Sequence, residues 1–351
     1  MRNARTTAIG LAMALAVTTA RAGEPSRGVA YVSNQNAGVS VIDLARLETI
    51  ATIDNGSATP RGLGISDDGR WLVTANRDAG DLSIIDRAEG KVVRKVAIGT
   101  NPEFVRVRGN LAFVSYEPSS KGGPPGAHEE DDDDDAKQEP AQVAVVDIAQ
   151  GTVLRRILGG LETEGLEFSA DGRHLLVTNE ADDTITVHDI ATGRLVRTIP
   201  TIAHGKRPRG IKRSPDGKTY VATLEFGNQL LVLDAKYEVV KSVPTADFPY
   251  GLAFDRQGAK LYVAAARAKV LQVFDAKTWA PLGSAPTGDR CWHFTFTPDD
   301  AQLLVVCGRS NEVVVLDAGT LAPVKRIEDK QLPWGAVTWP KSMGSLDLPA
   351  S

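Results

Sequence analysis

The chain has 351 residues, a formal net charge of -4 and only two cysteines. That length would admit two ordinary domains, but a regular internal spacing reads as one closed repeat array. The near-balanced charge argues against nucleic acid or an anionic membrane surface as partner.

At the N-terminus, Arg2 and Arg5 precede an apolar run from Ala8 to Val17, followed by Ala20-Arg21-Ala22. The run is too short to span a bilayer and ends in a small-x-small cleavage pattern, so residues 1–22 read as a signal peptide. No cysteine follows the cut, which argues against lipid attachment, and no other stretch is apolar enough to cross a membrane. The expected product is a periplasmic or secreted monomer. Cleavage removes Arg2, Arg5 and Arg21, taking the charge from -4 to -7, and the run Glu129 to Asp135 supplies seven negative charges. The rest of the mature chain is neutral.

From residue 29 onward, short apolar segments end in aspartate seven times, at Asp43, Asp86, Asp147, Asp189, Asp234, Asp275 and Asp317. The intervals are 43, 61, 42, 45, 41 and 42 residues: one unit with a single insertion. Units of this length built from short strands predict a β-propeller. Residues 163–199 show the unit, with strands at Gly165–Ser169, His174–Asn179, Thr184–Asp189 and Leu195–Ile199. Asp-Gly and Thr-Gly turns separate the β-branched runs, as antiparallel hairpins require. The repeated aspartate is expected to cap the turn after the third strand.

Inner strands are expected to begin at Pro60, Pro102, Thr163, Pro208, Pro249, Cys291 and Pro333. The first unit lacks its own inner strand, and the last strand, Trp334 to Trp339, lacks partners. The expectation is therefore an all-β, seven-bladed propeller of four-stranded antiparallel blades over residues 23–340. The C-terminal strand joins the N-terminal blade and removes the open edges. Residues 341–351 are expected to be a tail, and 118–141 an acidic insertion in the third blade.

The segments AYVSN, VSVID, TPRGLGISDDGRWLVTAN, FSADGRHLLVTNE and LPWGAVTWP resemble the YVTN family of seven-bladed propellers over about Val29 to Pro340. They resemble particularly the exported, YncE-like members encoded beside PQQ-dependent alcohol-oxidation systems. The resemblance implies the fold and an accessory binding role. It implies no catalytic set, because propellers host binding modules and enzymes alike.

Strand alternation places the starts of the inner strands on one face. The middle residues of the Pro-x-Gly starts, Arg61, Glu103, Glu164, Arg209, Tyr250, Trp292 and Trp334, are expected around the funnel mouth. Two arginines, two carboxylates and three aromatics suit a planar or anionic small molecule. The same set also suits an Arg–Glu plug with aromatics as packing, and both readings stand at this point. Asn34, Asn76, Glu117, Glu180 and Glu225 belong to the same face. So do His204, in a long entry loop, and His293, at a position usually held by glycine. His188 reads as a core residue and His174 as exposed.

The insertion carries Glu129, Glu130, Asp131, Asp132, Asp133, Asp134 and Asp135. It reads as a solvated loop, with a weak Ca²⁺ site or a docking arm as the functional alternatives; it lacks the spaced oxygens and glycine turn of a tight calcium loop. With Thr297 facing Ala301 across a turn, the register places Cys291 opposite Cys307, where a disulfide or two packed thiols would fit.

These features together predict a binding or scaffold protein that takes a small molecule or a periplasmic partner protein at the mouth. It would be accessory to a PQQ-dependent or respiratory oxidation system. A lactonase-type hydrolase using Glu103 or Glu164 as base and Arg61 or Arg209 at the oxyanion is the first alternative. A haem-handling propeller like the d1 domains of nitrite reductases, with mouth histidines as axial ligands, is the second.

Overall fold

The computed structural model describes residues 27–57, 59–118, 139–328 and 330–347. The expected signal peptide and the acidic run Glu129–Asp135 lie outside the described residues. Twenty-eight strands form seven four-stranded antiparallel sheets arranged as the blades of a propeller. The inner strands are Pro333–Trp339 in blade 1, then Pro60–Ile65, Pro102–Arg108, Thr163–Phe168, Pro208–Arg213, Pro249–Phe254 and Cys291–Phe296 in blades 2 to 7. Every start falls where the sequence spacing put it.

Blade 1 is the closure. Val29–Asn34 pairs with Val39–Asp43 on one side and with the chain's last strand on the other, Val29 opposite Trp339 and Ser33 opposite Gly335. This pairing completes blade 1 as a four-stranded sheet and gives the last strand its partner.

The β-rich sequence explains the blades. Second and third strands such as Leu-Leu-Val-Thr and Val-Val-Val-Leu are buried on both faces between neighbouring blades, so they read as continuous apolar runs. Outer strands such as Lys91–Ala97 are mostly exposed. Each third strand ends in the repeated aspartate, whose carboxylate accepts backbone N–H bonds from the next turn. Examples are Ala45 N–H to Asp43 Oδ1 at 2.8 Å and Thr278 N–H to Asp275 Oδ1 at 2.7 Å. Asp86, Asp147, Asp189, Asp234 and Asp317 do the same. These bonds depress the Asp275 and Asp317 carboxyls below the usual range, and at Asp189 the Thr192 hydroxyl and then its N–H do so.

Cys291 and Cys307 face one another and are joined by a disulfide with an S–S distance of 2.03 Å. The hairpin register differs from the one expected: Thr297 N–H donates to the Gln302 carbonyl, one residue further along. A bulge between Cys291 and His293 absorbs the extra residue and brings the cysteines back into opposition.

The segment after the last strand is not a tail. From Pro340 it turns back and runs across the end of the channel opposite the Pro-x-Gly starts, pairing Gly344 with Thr295. Phe296 N–H donates to the Met343 carbonyl at 2.8 Å, and Ser345 N–H donates to the Phe294 carbonyl at 2.9 Å. Leu346 is buried in the main core cluster beside Leu63 and Trp334. Arg106 Nη1 donates to the Leu346 carbonyl at 2.6 Å, and Lys212 Nζ to the Asp347 carbonyl at 2.6 Å. Residues 340–347 thus pack across that end of the inner strands.

Candidate functional site: the propeller mouth

Two rings of side chains build the mouth. The lower ring holds the seven middle residues of the inner-strand starts. A one-residue bulge at each start, for example between Pro60 and Leu63, sets its backbone. The glycine after the middle residue is required where neighbouring inner strands approach: a Cβ on Gly62 would lie 2.3 Å from the Glu103 carbonyl, and one on Gly210 2.5 Å from that of Tyr250. Blades 3 and 7 replace this glycine with Phe104 and His293.

The lower ring is closed by its own contacts, and all seven of its side chains are at most 7% exposed. Arg61 is ion-paired with Glu103, and its Nε–H donates to Gln35 Oε1 at 3.0 Å. Arg209 uses all three nitrogens: Nη1 on Glu164, Nη2 on Glu180 at 2.6 Å and Nε on Glu225 at 2.6 Å. Its guanidinium also stacks 4.8 Å above Tyr250 and donates to the Tyr250 hydroxyl at 3.1 Å. Trp292 and Trp334 are core residues and do not line an opening.

Acids outnumber arginines here, and the titration behaviour reflects it. Burial pushes the Glu117 carboxyl up to about 8, reinforced by Glu164 and Glu162 and opposed by Arg61 and Arg209. Burial also raises Glu180 well above the usual carboxylate range, against the pull of Arg209 and Arg207.

The upper ring was not singled out from sequence. It consists of the residue preceding each inner strand: Thr59, Asn101, Glu162, Arg207, Phe248, Arg290 and Leu332. All seven are left-handed, with φ between 51° and 60°. A non-glycine residue there costs about 1 kcal/mol, and the position is held by the second strand of the same blade. Glu225 N–H donates to the Arg207 carbonyl, and Ala266 N–H to that of Phe248.

In blades 5 to 7 the rim becomes a basic aromatic patch. Phe226, 44% exposed, lies 5.1 Å from Phe248 between ring centroids. Arg207 stacks 4.9 Å over Phe226, and Arg267 and Arg290 lie 3.5 and 5.8 Å over Phe248. Phe226 and Arg267 are its exposed members; Phe248 and Arg290 are buried, and Arg207 is ion-paired with Glu162 at 3.0 Å and with Glu180.

The histidines do not meet. His204 is at the rim of blade 5, its Nδ1 2.9 Å from the Ser242 hydroxyl of that blade's outer strand. His293 is on the channel axis and 1% exposed, its ring 4.3 Å from Trp334, 5.4 Å from Tyr250 and 5.9 Å from Phe104. Burial lowers its pKa to about 3, so it is neutral. His188 is buried, as expected of a core residue, and His174 is half-buried against the Tyr237 hydroxyl. Among the described residues no cluster of three or more His, Cys, Asp or Glu is arranged to hold a metal ion.

The profile of the family described as the cytochrome D1 heme domain matches residues 6–107 and 138–280. The chain belongs to that family. It is 25% identical over 254 residues to the dihydro-heme d1 dehydrogenase of Pseudomonas aeruginosa, covering 64% of this chain and 46% of that protein. The chain thus spans about half the length of the curated relative it matches. Among solved structures, dihydro-heme d1 dehydrogenase NirN in complex with DHE superposes with a TM-score of 0.65 at 20% identity, over 91% of this chain and 77% of that one. A candidate 6-phosphogluconolactonase of Bacteroides uniformis superposes with a TM-score of 0.73 at 17% identity, over 89% and 100%. At such identities these structures show the shared propeller alone.

A haem d1 group is implied by the family, and the residues fit it in part. The exposed Phe226 face and the exposed Arg267 beside it fit the flat face and a carboxylate of a tetrapyrrole, whereas Phe248 and Arg290 are buried and Arg207 is paired with Glu162 and Glu180. Iron ligation by His293 does not fit, because three aromatic rings pack around its imidazole and leave no face for a macrocycle. His204 is turned to the outer strand of its blade.

Proposed function

We propose that this protein is an exported binding propeller that holds a planar, carboxylate-bearing tetrapyrrole of the haem d1 class on its mouth. The observation that carries this reading is the exposed Phe226 beside Phe248, with Arg207, Arg267 and Arg290 stacked on the two rings. Stacking on Phe226 would hold the macrocycle face, and the exposed Arg267 would take a carboxylate. Membership of the d1 family supports the ligand class, and the N-terminal segment supports export. The role is that of a carrier or accessory binder to a haem d1-dependent oxidation or reduction system rather than of a catalyst. The kinship directs the accessory role towards haem d1 rather than PQQ.

Two features weigh against the lactonase reading. Glu103 and Glu164 are buried in ion pairs with Arg61 and Arg209, the same arginines that would have to serve a developing oxyanion. A base so paired is a poor proton acceptor.

The test is an absorbance titration of the mature protein with the iron-containing and the metal-free macrocycle, with PQQ in parallel. Because the arginines and phenylalanines act on the periphery, the two macrocycles should bind within about threefold of each other, at micromolar or tighter affinity. Absence of a saturable spectral change with both would end the proposal. Tighter binding of PQQ would return the assignment to quinone systems.

A further inference from the structure

One buried carboxylate connects the exposed patch to the ring beneath it. Glu180 Oε1 accepts from Arg207 Nε–H in the upper ring and, at 2.6 Å, from Arg209 Nη2–H in the lower ring. The Glu180 side chain is 3% exposed, whereas that of Arg207 is 30% exposed. Arg207 also pairs with Glu162 at 3.0 Å and lies 4.9 Å over the exposed Phe226 ring. A carboxylate carried by a ligand on Phe226 therefore competes with Glu162 and Glu180 for one guanidinium.

The neighbours of Glu180 do not replace that partner. Among the described residues, six carboxyls meet here: Glu103 and Glu117 from blade 3, Glu162, Glu164 and Glu180 from blade 4, and Glu225 from blade 5. Four arginines face them. Arg61 of blade 2 pairs with Glu103, Arg209 of blade 5 is shared by Glu164, Glu180 and Glu225, and Arg290 of blade 7 is 3.9 Å from Glu225. The fourth is Arg207, whose backbone N–H is taken by Asp183 at 2.7 Å. Arg77 of blade 2 donates to Asn101 and pairs with Asp78, and the Tyr250 hydroxyl of blade 6 accepts from Arg209. Glu117 takes only the Asn101 amide, at 3.0 Å, among its direct partners.

A buried carboxylate that loses its arginine is retained as the neutral acid, because the ionised form is costly away from water. Burial already raises Glu117 to about 8 and Glu180 well above the usual carboxylate range. A ligand carboxylate brings further negative charge to the cluster and raises both again. A proton then enters with the ligand.

We propose that the mouth takes up its anionic ligand together with a proton, which Glu180 and Glu117 hold beneath Arg207. This rests on the tetrapyrrole reading above and supplies its regulation: loading at lower pH and release at higher pH. A group that binds its proton more tightly in the complex makes affinity greatest below the free-state value, about 8 for Glu117, and weaker as pH rises through it. The ligand's own carboxylates stay ionised throughout this range.

The experiment is a titration of the protein with the metal-free d1-type macrocycle from about pH 6.5 to about pH 9, which avoids the titration of an iron-bound water. Calorimetry in two buffers of different ionisation enthalpy counts the protons. The expected result is an affinity about tenfold weaker at about pH 9 than at about pH 7, with about half a proton or more taken up per ligand at about pH 8. Glu180→Gln and Glu117→Gln, neutral at every pH, should each flatten the profile. Glu180→Gln should also bind more tightly than the wild type at about pH 9, which mere loss of a structural ion pair would not produce. Wild-type binding that is independent of pH and takes up no proton refutes the proposal and leaves the tetrapyrrole reading standing. A full wild-type slope in both variants refutes it too, by placing the proton elsewhere. No binding at any pH ends both.

Discussion

The Arg106 guanidinium donates to the backbone carbonyl of Leu346, 2.6 Å away and 240 residues later in the chain. Its second nitrogen holds Glu167 at 2.7 Å, both side chains fully buried. One arginine thus ties the end of the chain to the channel walls of blades 3 and 4. Leu346→Ala should cost about 3 kcal/mol, since the side chain fills the space left by Gly335 against Leu63. Denaturant unfolding checks this, and a change below about 1 kcal/mol would mean the segment is not docked in solution.

Arg106→Met should be worse, at about 4 kcal/mol, because it strands the Glu167 carboxylate in the core. The double variant Arg106→Met with Glu167→Gln should recover much of that loss. If the single and double variants are equally unstable, the carboxylate is not the cause.

Stability should fall on both sides of mildly acidic pH. Glu117 and Asp347 have folded pKa values raised to about 8 and about 6 from ordinary values of 4.5 and 3.8, in each case chiefly by burial. Their folded states hold protons more tightly than the unfolded chain. That contribution is complete below about pH 4 and is lost as pH rises through 6 and then 8. His293 runs the other way: lowered from 6.5 to about 3, it stays neutral while the unfolded chain takes a proton, so stability drops as pH falls below 6.5. Thermal melts of Glu117→Gln, whose partner Asn101 is 3.0 Å away, should show a shallower decline between pH 5 and 8, with Asp347 and Glu180 supplying the remainder. An unchanged decline would place its origin elsewhere.

Replacing both cysteines by alanine should lower stability by about 3 kcal/mol, the magnitude for a closed loop of this size, spanning 16 residues. Both sulfurs belong to buried residues, so a thiol reductant should act at the rate of unfolding rather than on the folded protein. Fast reduction with no change in melting temperature would contradict this.

The blades were legible in the sequence because the period, the capping aspartates and the proline starts all reflect one local geometry repeated seven times. Blade closure followed from counting strands. The folded-back C-terminus was not legible: Lys341–Asp347 has no periodicity, and it is anchored largely through backbone carbonyls, which any sequence possesses. The cationic patch was missed for a related reason. Nothing about Arg207, Phe248 or Arg290 as residue types announces a positive φ, yet all three share that backbone turn. The repeat held the clue, since each of the three directly precedes an inner-strand start. For the lower ring, sequence could not show that Arg209 already spends every nitrogen on Glu164, Glu180 and Glu225.

The most direct measurement is the affinity of a haem d1-type macrocycle for the wild-type protein and for Phe226→Ala combined with Arg267→Ala. Both side chains lie at the rim, away from the lower ring, so the variant should keep its melting temperature. The account predicts saturable binding by the wild type and a loss of at least about tenfold in the variant, the worth of one stacked ring and one charge-assisted bond. Equal affinity in the two proteins, with the fold intact, would contradict it.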